Sequence, residues 1–485
     1  MSADALPKAY EPRTWNTPEV GAVVCWGRKR AVAASRRSEK HGQFTALPDG
    51  RERFSRFPVR PACRTDGLCV TIGGGRRKAV IDILWDEAHL WGYLARHAVE
   101  AAGLPHRLLK GSEIAQGGLS GKVLLVPGGS GRVKARGLGQ AGLEAVRLHV
   151  ERGGHYLGFC GGAGLALSEG LGLCPWGRAT IGDDRWQHRV SGRVECSVAA
   201  HPLVPKGMTQ ALLPVWWPGR FEEGAGDVEV LARYRAPGPD LYVEDMALAL
   251  LPPEVLAEWR AVYGVDLRPT LLDNQPCVAT GTRGRGSWLI SYSHLETPPA
   301  EQDGSSGADG ANRWFLHILE QWTGESLAGV KIPAWRPDDL PVRWEDADLL
   351  KARADLADLI NQAAALGLLF RRASWLMGWK PGVPGGQINN LRAALGAAVA
   401  LEPTHARVAR WRELLPEFRP GFARFRQAAR SWLLARRLAD TLDDSLPGML
   451  PKALLIDQKN MLFGSPMSGG GLCGRLLDIL ESLLF

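Results

Sequence analysis

The chain has 485 residues, of which 45% are hydrophobic and 23% charged. These are the proportions of an ordinary globular protein long enough for two or three domains. No run of about 20 apolar residues occurs, and Met1-Ser2-Ala3-Asp4 lacks a charged start with an apolar core, so neither a membrane-spanning helix nor a secretory signal is expected. The eight cysteines (Cys25, Cys63, Cys69, Cys160, Cys174, Cys196, Cys277 and Cys473) include no Cys-x-x-Cys pair and are too scattered for a disulfide scaffold. A reducing cytoplasm fits them, with no metal and no cofactor expected.

The net charge of +8 is uneven. Residues 1–79 hold 16 Lys or Arg against 7 Asp or Glu, so the remainder of the chain is close to neutral. Gly27-Arg28-Lys29-Arg30 and Arg51-Glu52-Arg53 sit among Ser, Pro and Gly without periodicity. Residues 1–78 are therefore expected to form a basic, disordered arm, and nucleic acid is not an expected partner.

Order is predicted to begin near Ala79. Ala79-Val80-Ile81-Asp82-Ile83-Leu84-Trp85 reads as a buried strand, and residues 88–102 as a helix closed by Gly103. Asp86 and Glu87 follow the strand. A carboxylate there, Glu87 above all, is a candidate to meet a substrate or to cap the next helix. Leu104 to Leu109 supplies a second strand and Lys122 to Val126 a third, which ends in Pro127-Gly128-Gly129-Ser130; a helix is predicted over Leu138–Glu151. Alternating buried strands and helices predict a doubly wound parallel α/β sheet over residues 79–325. Its ligand site belongs at the carboxyl ends of the strands, where Gly128-Gly129 fall.

The next stretch is the most informative. Tyr156-Leu157-Gly158-Phe159 is a short apolar run that ends in Cys160-Gly161-Gly162 and leads into Ala163-Gly164-Leu165-Ala166-Leu167. A strand that delivers a reactive side chain to a sharp turn between small residues, followed by a helix, is the grammar of a nucleophile elbow. A thiol there gains from the positive end of the helix, and adjacent amides can receive a developing oxyanion.

From about residue 176 the pattern becomes strand-rich. Val190 to Val198 and Val228 to Tyr234 read as strands, separated by the aromatic turn Trp216-Trp217-Pro218-Gly219-Arg220-Phe221. Trp217 and Phe221 in that turn are candidates to contact a substrate. Thr282-Arg283-Gly284-Arg285-Gly286 reads as a hairpin turn. The run Ser287 to Ser293 is a buried strand whose end presents His294 and, two residues on, Glu296, with Leu295 facing the other way. A thiolate nucleophile needs a base, and the base needs an orienting carboxylate; Cys160, His294 and Glu296 supply that set.

Gly304 to Gly310 reads as a loop, and residues 312–322 as a helix. A Pro-rich linker is placed at 326–344. Beyond it an all-α domain is expected over 345–485, with Leu349, Leu356, Leu359 and Ala363 on one face, Phe422, Phe425, Ala429 and Trp432 on another, and Leu472, Leu476, Ile479, Leu480 and Leu483 on a third. Residues 407–437 carry nine Arg against two Glu, read as the solvated face of a bundle.

Val126-Pro127-Gly128-Gly129, Gly158-Phe159-Cys160-Gly161-Gly162-Ala163 and His294-Leu295-Glu296 resemble the motifs of the class I glutamine amidotransferase superfamily. Within it, Gly153-Gly154-His155-Tyr156-Leu157-Gly158-Phe159-Cys160-Gly161-Gly162-Ala163 and the Trp217–Phe221 turn look most like the amidotransferase-like domain at the N-terminus of biotin–protein ligases. The resemblance covers residues 79–325 and implies a flavodoxin-like sheet. It also implies Cys160 as nucleophile, His294 as base, Glu296 as its orienter, and an oxyanion hole of amides near Gly129 and Gly161. The chain departs from the superfamily in three ways. Gly162-Ala163-Gly164 stands where glutamine-hydrolysing members carry a Gly-His-Gln-type sequence, Ser-His-Leu-Glu replaces Pro-His-Pro-Glu, and residues 326–485 resemble no synthetase domain. The expected function is a cysteine-dependent amidase or amidotransferase acting on a small amide through a thioester. The alternative is a non-catalytic ligand-binding or regulatory module that engages a protein partner through its helical C-terminal domain.

Overall fold

The first described part of the chain lays down strands with no polar face. β1 (Ile81–Leu84) and β3 (Val123–Val126) are buried at every residue, and β4 (His155–Phe159) at all but the first. Strands of this kind belong in the middle of a sheet covered on both sides. Between them run α1 (His89–Ala101), β2 (His106–Leu109), α2 (Gly111–Ala115) and α3 (Gly131–Glu151), and β4 passes through Cys160 into α4 (Gly161–Ala166). The computed structural model describes residues 80–179, 189–268, 272–299, 310–442, 449–464 and 470–485; the basic arm and most of the 304–310 loop lie outside the described residues.

The following segment contains β5 (Gly177–Arg178), β6 (Val190–Val198), β7 (Gln210–Trp216), β8 (Phe221–Glu222), β9 (Glu229–Pro237), β10 (Tyr242–Val243), β11 (Met246–Ala247), α5 (Pro253–Tyr263), β12 (Pro276–Arg283), β13 (Gly286–Ser291) and α6 (Gly310–Thr323). In the main sheet β2, β1, β3, β4 and β13 lie side by side and all run parallel. From there the sheet continues through β12, β9, β6, β10 and β11, with β7 on β6, and every one of these pairings is antiparallel. The parallel sheet expected over 79–325 is thus only its first part. A two-residue turn at Gly284-Arg285 joins β12 to β13, and so short a link can only make an antiparallel pair.

Both faces of the parallel strands are covered. Ala95, Ala98 and Val99 of α1, with Trp314, Phe315, Ile318 and Leu319 of α6, pack on Ile83, Leu125, Leu157 and Phe159. On the other face Leu138, Val146 and Val150 of α3 and Ala163 and Leu165 of α4 cover Leu124, Val126, Tyr156 and Ile290. Helix α3 begins seven residues earlier than expected and carries a non-helical Gly139 within it.

The C-terminal region is helical, with α7 (Ala347–Ala365), α8 (Gly385–Val399), α9 (His405–Leu442), α10 (Lys452–Phe463) and α11 (Gly471–Glu481), but it is not all-α. A hairpin of β14 (Leu369–Ala373) and β15 (Leu376–Trp379) stands between α7 and α8. Asn389 of α8 holds it, since its amide group accepts from Met377 N at 2.9 Å and donates to Met377 O at 2.8 Å. The expected helix faces are buried, Leu472 only partly. Their core also takes in Trp85, Leu90, Tyr93 and Leu94 from the β1–α1 segment. The described residues all belong to one compact unit, and the expected boundary at 326–344 falls inside it. Trp335 in that stretch is buried and stacks at 6.3 Å on Tyr93.

A partly buried ion pair joins the two ends of this unit. His89 Nδ1 lies 3.0 Å from Glu481 Oε1, and Trp85 Nε1 donates to Glu481 Oε2 at 3.2 Å. Burial opposes the charge on His89, but Glu481 and Glu87 outweigh it and raise the pKa to about 10. An unfolded histidine titrates near 6.5. The pair's contribution to stability is therefore complete below about pH 6.5 and is lost as the pH rises towards 10. In urea titrations, the gap between wild type and His89→Gln should be widest near pH 6 and close by about pH 10. A gap that does not change with pH would contradict the assignment.

Candidate functional site

The parallel order of β3, β4 and β13 brings their carboxyl ends to one edge of the sheet. β13 pairs with β4 so that Ser291 lies opposite Phe159, and the backbone N–H of Cys160 donates to Ser291 O at 2.7 Å. Cys160 is half-buried and has φ 48° and ψ −102°, a left-handed conformation that costs a non-glycine residue about 1–3 kcal/mol. Tyr156 holds the turn from below, its hydroxyl donating to Gly162 O at 2.6 Å. Helix α4 spans only six residues, so electrostatic support for a thiolate must come mainly from side chains.

His294 and Glu296 lie just past the end of β13, in the turn that follows it rather than on the strand itself. Both are buried, with His294 1% and Glu296 0% exposed, and His294 Nδ1 sits 2.8 Å from Glu296 Oε1. Nε2 has no hydrogen-bond partner among the described residues, and Cys160 adds to the preference for the protonated ring. Burial disfavours the imidazolium, but Glu296 and Cys160 together raise the His294 pKa to about 10. The ring is further fixed by Trp91 of α1, stacked on it at 4.1 Å. The turn is anchored twice: His294 N donates to Pro214 O at 2.8 Å, and Asn312 of α6 donates to Leu295 O and Thr297 O at 2.9 and 2.8 Å.

The Pro127-Gly128-Gly129 loop meets the elbow backbone to backbone. A Cβ on Gly161 would stand 1.9 Å from Gly129 O, and one on Gly128 would stand 2.8 Å from His294 Cε1. Gly129 has φ 106°, and a Cβ there would stand 1.9 Å from Glu87 O. Cys160, His294, Glu296, Gly129 and Gly161 are therefore brought together.

The other three candidates have different neighbours. The Glu87 carboxylate turns to His89, at 3.4 Å, while its carbonyl packs on Gly129. Trp217 stacks on Trp216 at 6.1 Å beneath Arg189 and touches Trp379 of β15. Phe221 is buried against Tyr292 at 4.4 Å, as packing behind that residue.

Two polar residues escaped the sequence reading. Tyr292 has a buried hydroxyl with no hydrogen-bond partner among the described residues, on the Gly164 side of the elbow, and burial holds its phenol well above the usual range. Lys134 is fully buried, and its Nζ donates to Asp86 O at 2.6 Å. Burial lowers its pKa to about 8 against the pull of Asp86, Glu87, Glu481 and Cys160. The signal was present: Lys134, Leu138, Gly142, Val146 and Val150 form one buried stripe of α3, with a lysine where an apolar residue belongs. Among the described residues no group of His, Cys, Asp or Glu is arranged to hold a metal ion, and no helix is long and apolar enough to cross a membrane.

No family model and no curated protein matches the chain. Among solved structures it is similar to a glutamine amidotransferase, with 17% identity over 50% of this chain and 99% of that one and a TM-score of 0.31. It is also similar to a provisional GMP synthase component from Thermoplasma acidophilum, with 10% identity, 51% and 97% coverage and a TM-score of 0.30. A β-galactosidase from Bacillus circulans sp. alkalophilus gives 14% identity over 55% of this chain and 34% of that one, with a TM-score of 0.29. Each of these likenesses covers about half of this chain.

The contact between Gly161 and Gly129 can be tested directly. Gly161→Ala must force two backbones apart and should cost about 1–3 kcal/mol. Gly164→Ala meets nothing closer than the Tyr292 hydroxyl at 3.9 Å and should be neutral or slightly stabilising. Equal urea midpoints for the two variants would contradict the geometry.

Proposed function

We propose that this protein is a cysteine-dependent amidase or amidotransferase-like enzyme that attacks a small amide through Cys160. The observation that carries the reading is the buried His294–Glu296 couple, 2.8 Å apart, whose raised pKa draws in part on Cys160, a thiol on a strained elbow. Glu296 fixes the tautomer and steadies the imidazolium. With its pKa raised to about 10, His294 already carries the proton drawn from the thiol when sulfur attacks the carbonyl carbon, and amides of the Gly129 and Gly161 loops receive the oxyanion. When the C–N bond breaks, His294 returns the proton to the leaving nitrogen and a thioester remains on Cys160. Water, activated by the same histidine, or an acceptor amine then releases the acyl group.

Glutamine is not the substrate we propose, because Gly162-Ala163-Gly164 occupies the place of the glutamine-holding sequence. That same feature favours the competing reading of a ligand-binding or regulatory module on the same fold. Kinship to the amidotransferase-like domain of biotin–protein ligases is proposed on the Pro127-Gly128-Gly129 loop and the Trp217–Phe221 turn. A reducing, cytoplasmic setting is proposed on the free thiols of Cys160, Cys174, Cys196, Cys277 and Cys473.

The test is ammonia release from a panel of small carboxamides, with intact-mass detection of an acyl group on Cys160. Cys160→Ala should abolish release while leaving the unfolding midpoint nearly unchanged. Glu296→Gln should lower the rate by at least roughly tenfold, since it weakens the base without removing it. Full activity in Cys160→Ala would exclude cysteine catalysis, and no turnover with any amide would favour the binding module.

A further inference from the structure

The last helix reaches the edge of the candidate site. Glu481 of α11 is 8% exposed, and both of its carboxylate oxygens are engaged by the segment that follows β1: Oε2 by Trp85 Nε1 at 3.2 Å, Oε1 by His89 Nδ1 at 3.0 Å. His89 Nε2 in turn faces Glu87 Oε2 at 3.4 Å. Glu87 and His89 both adopt left-handed backbone, with φ 51° and 44°. Side-chain-bearing residues keep that conformation only where their surroundings over-determine it, and Glu481 is one of the groups that hold it, beside Gly111 N, which donates to Asp86 Oδ2 at 2.7 Å, and Asn390 Oδ1, which accepts from Leu90 N at 3.3 Å.

The opposite side of the same segment touches the site. Glu87 O packs on the α-carbon of Gly129, and Asp86 O accepts from Lys134 Nζ. A second contact from the C-terminal region falls on the start of α1: Trp375, between β14 and β15, meets Trp91 at 6.1 Å, and Trp91 is the ring stacked on His294. The geometry points to Glu481 as a positioning residue for the Cys160 site: it fixes residues 85–89, and through them the Gly128-Gly129 backbone that lies against Gly161 and His294. This role rests on the reading of Cys160 as an acyl-accepting nucleophile, and it makes the docked C-terminal region a working part of the site. The effect is one of geometry rather than field. Glu87 stays 3.4 Å from His89 Nε2 when Glu481 is replaced, and any change in thiol ionisation is read separately by alkylation.

Two reagents separate geometry from thiol ionisation. Acylation of Cys160 by p-nitrophenyl acetate passes through an oxyanion and needs the Gly129 loop in place. Alkylation by iodoacetamide is a displacement at saturated carbon and needs only the thiolate. In the full-length protein, Glu481→Gln should slow acylation of Cys160 about tenfold, a part of the roughly 100-fold that loss of an oxyanion donor costs, while alkylation stays within about twofold. A general loosening of the fold would also speed alkylation of the buried Cys174, Cys196, Cys277 and Cys473, which must stay protected in the variant. Should Glu481→Gln fail to fold, His89→Gln breaks the same link from the other side and must give the same ratio. Equal acylation-to-alkylation ratios in wild type and variant would overturn the role of Glu481 while leaving Cys160 as nucleophile. No acetyl group on Cys160 in the wild-type protein would overturn both.

Discussion

Glu296 is a carboxylate with no exposure to solvent, and the site is organised around making its charge tolerable. An isolated buried carboxylate is strongly destabilising unless it is paired. Here the partner is His294 Nδ1, and the second oxygen of Glu296 has no hydrogen-bond partner among the described residues. The carboxylate therefore holds a proton on His294, and the histidine in turn has one nitrogen left to offer. Asn312 and Pro214 keep the turn that carries both residues from drifting, and the Trp91 ring fixes the imidazole plane. In the proposed reading the thiol at the neighbouring elbow completes a proton path with this pair.

Sheet order puts the two halves of this arrangement together. Cys160 and His294 are 134 residues apart, but β4 and β13 are parallel neighbours, so both emerge from the same edge. The backbone bond from Cys160 N to Ser291 O locks the elbow to the end of the strand that precedes His294. The Pro127–Ser130 loop enters from β3 on the other side of β4, and glycine at both contact points lets the two backbones touch. The antiparallel strands beyond β13 contribute an anchor, Pro214, and the aromatic turn rather than reacting groups.

Much of the site was legible because its parts are local. An apolar run ending in Gly158-Phe159-Cys160-Gly161-Gly162 has few foldings other than a tight turn after a buried strand, and Pro127-Gly128-Gly129 similarly marks a loop after one. The amphipathic faces of α7, α9 and α11 were legible from spacing alone, for their residues pack into a core. What was illegible is long-range. Glu481 lies 396 residues from Trp85, and no local pattern predicts that contact. Lys134 could have been noticed as a charge at the head of an apolar stripe, but its target, the Asp86 carbonyl, is set only by tertiary packing. Glu87 follows a buried strand and Trp217 and Phe221 lie in an aromatic turn, and such positions do not say which way a side chain turns. The hairpin at Leu369–Trp379 stands where an all-α domain was expected; Asn389 and the buried Met377 supply its reason to exist.

Competitive alkylation tests the central claim most directly. The folded protein is exposed at pH 7 to a limiting amount of iodoacetamide, then unfolded, labelled to completion with an isotopic form of the reagent, and mapped by peptide mass for all eight cysteines. The account predicts that Cys160 takes up the first label, that Cys174, Cys196, Cys277 and Cys473 remain protected by burial, and that His294→Ala removes the advantage of Cys160. Labelling of Cys160 no faster than that of the buried cysteines, or unaffected by His294→Ala, would contradict it.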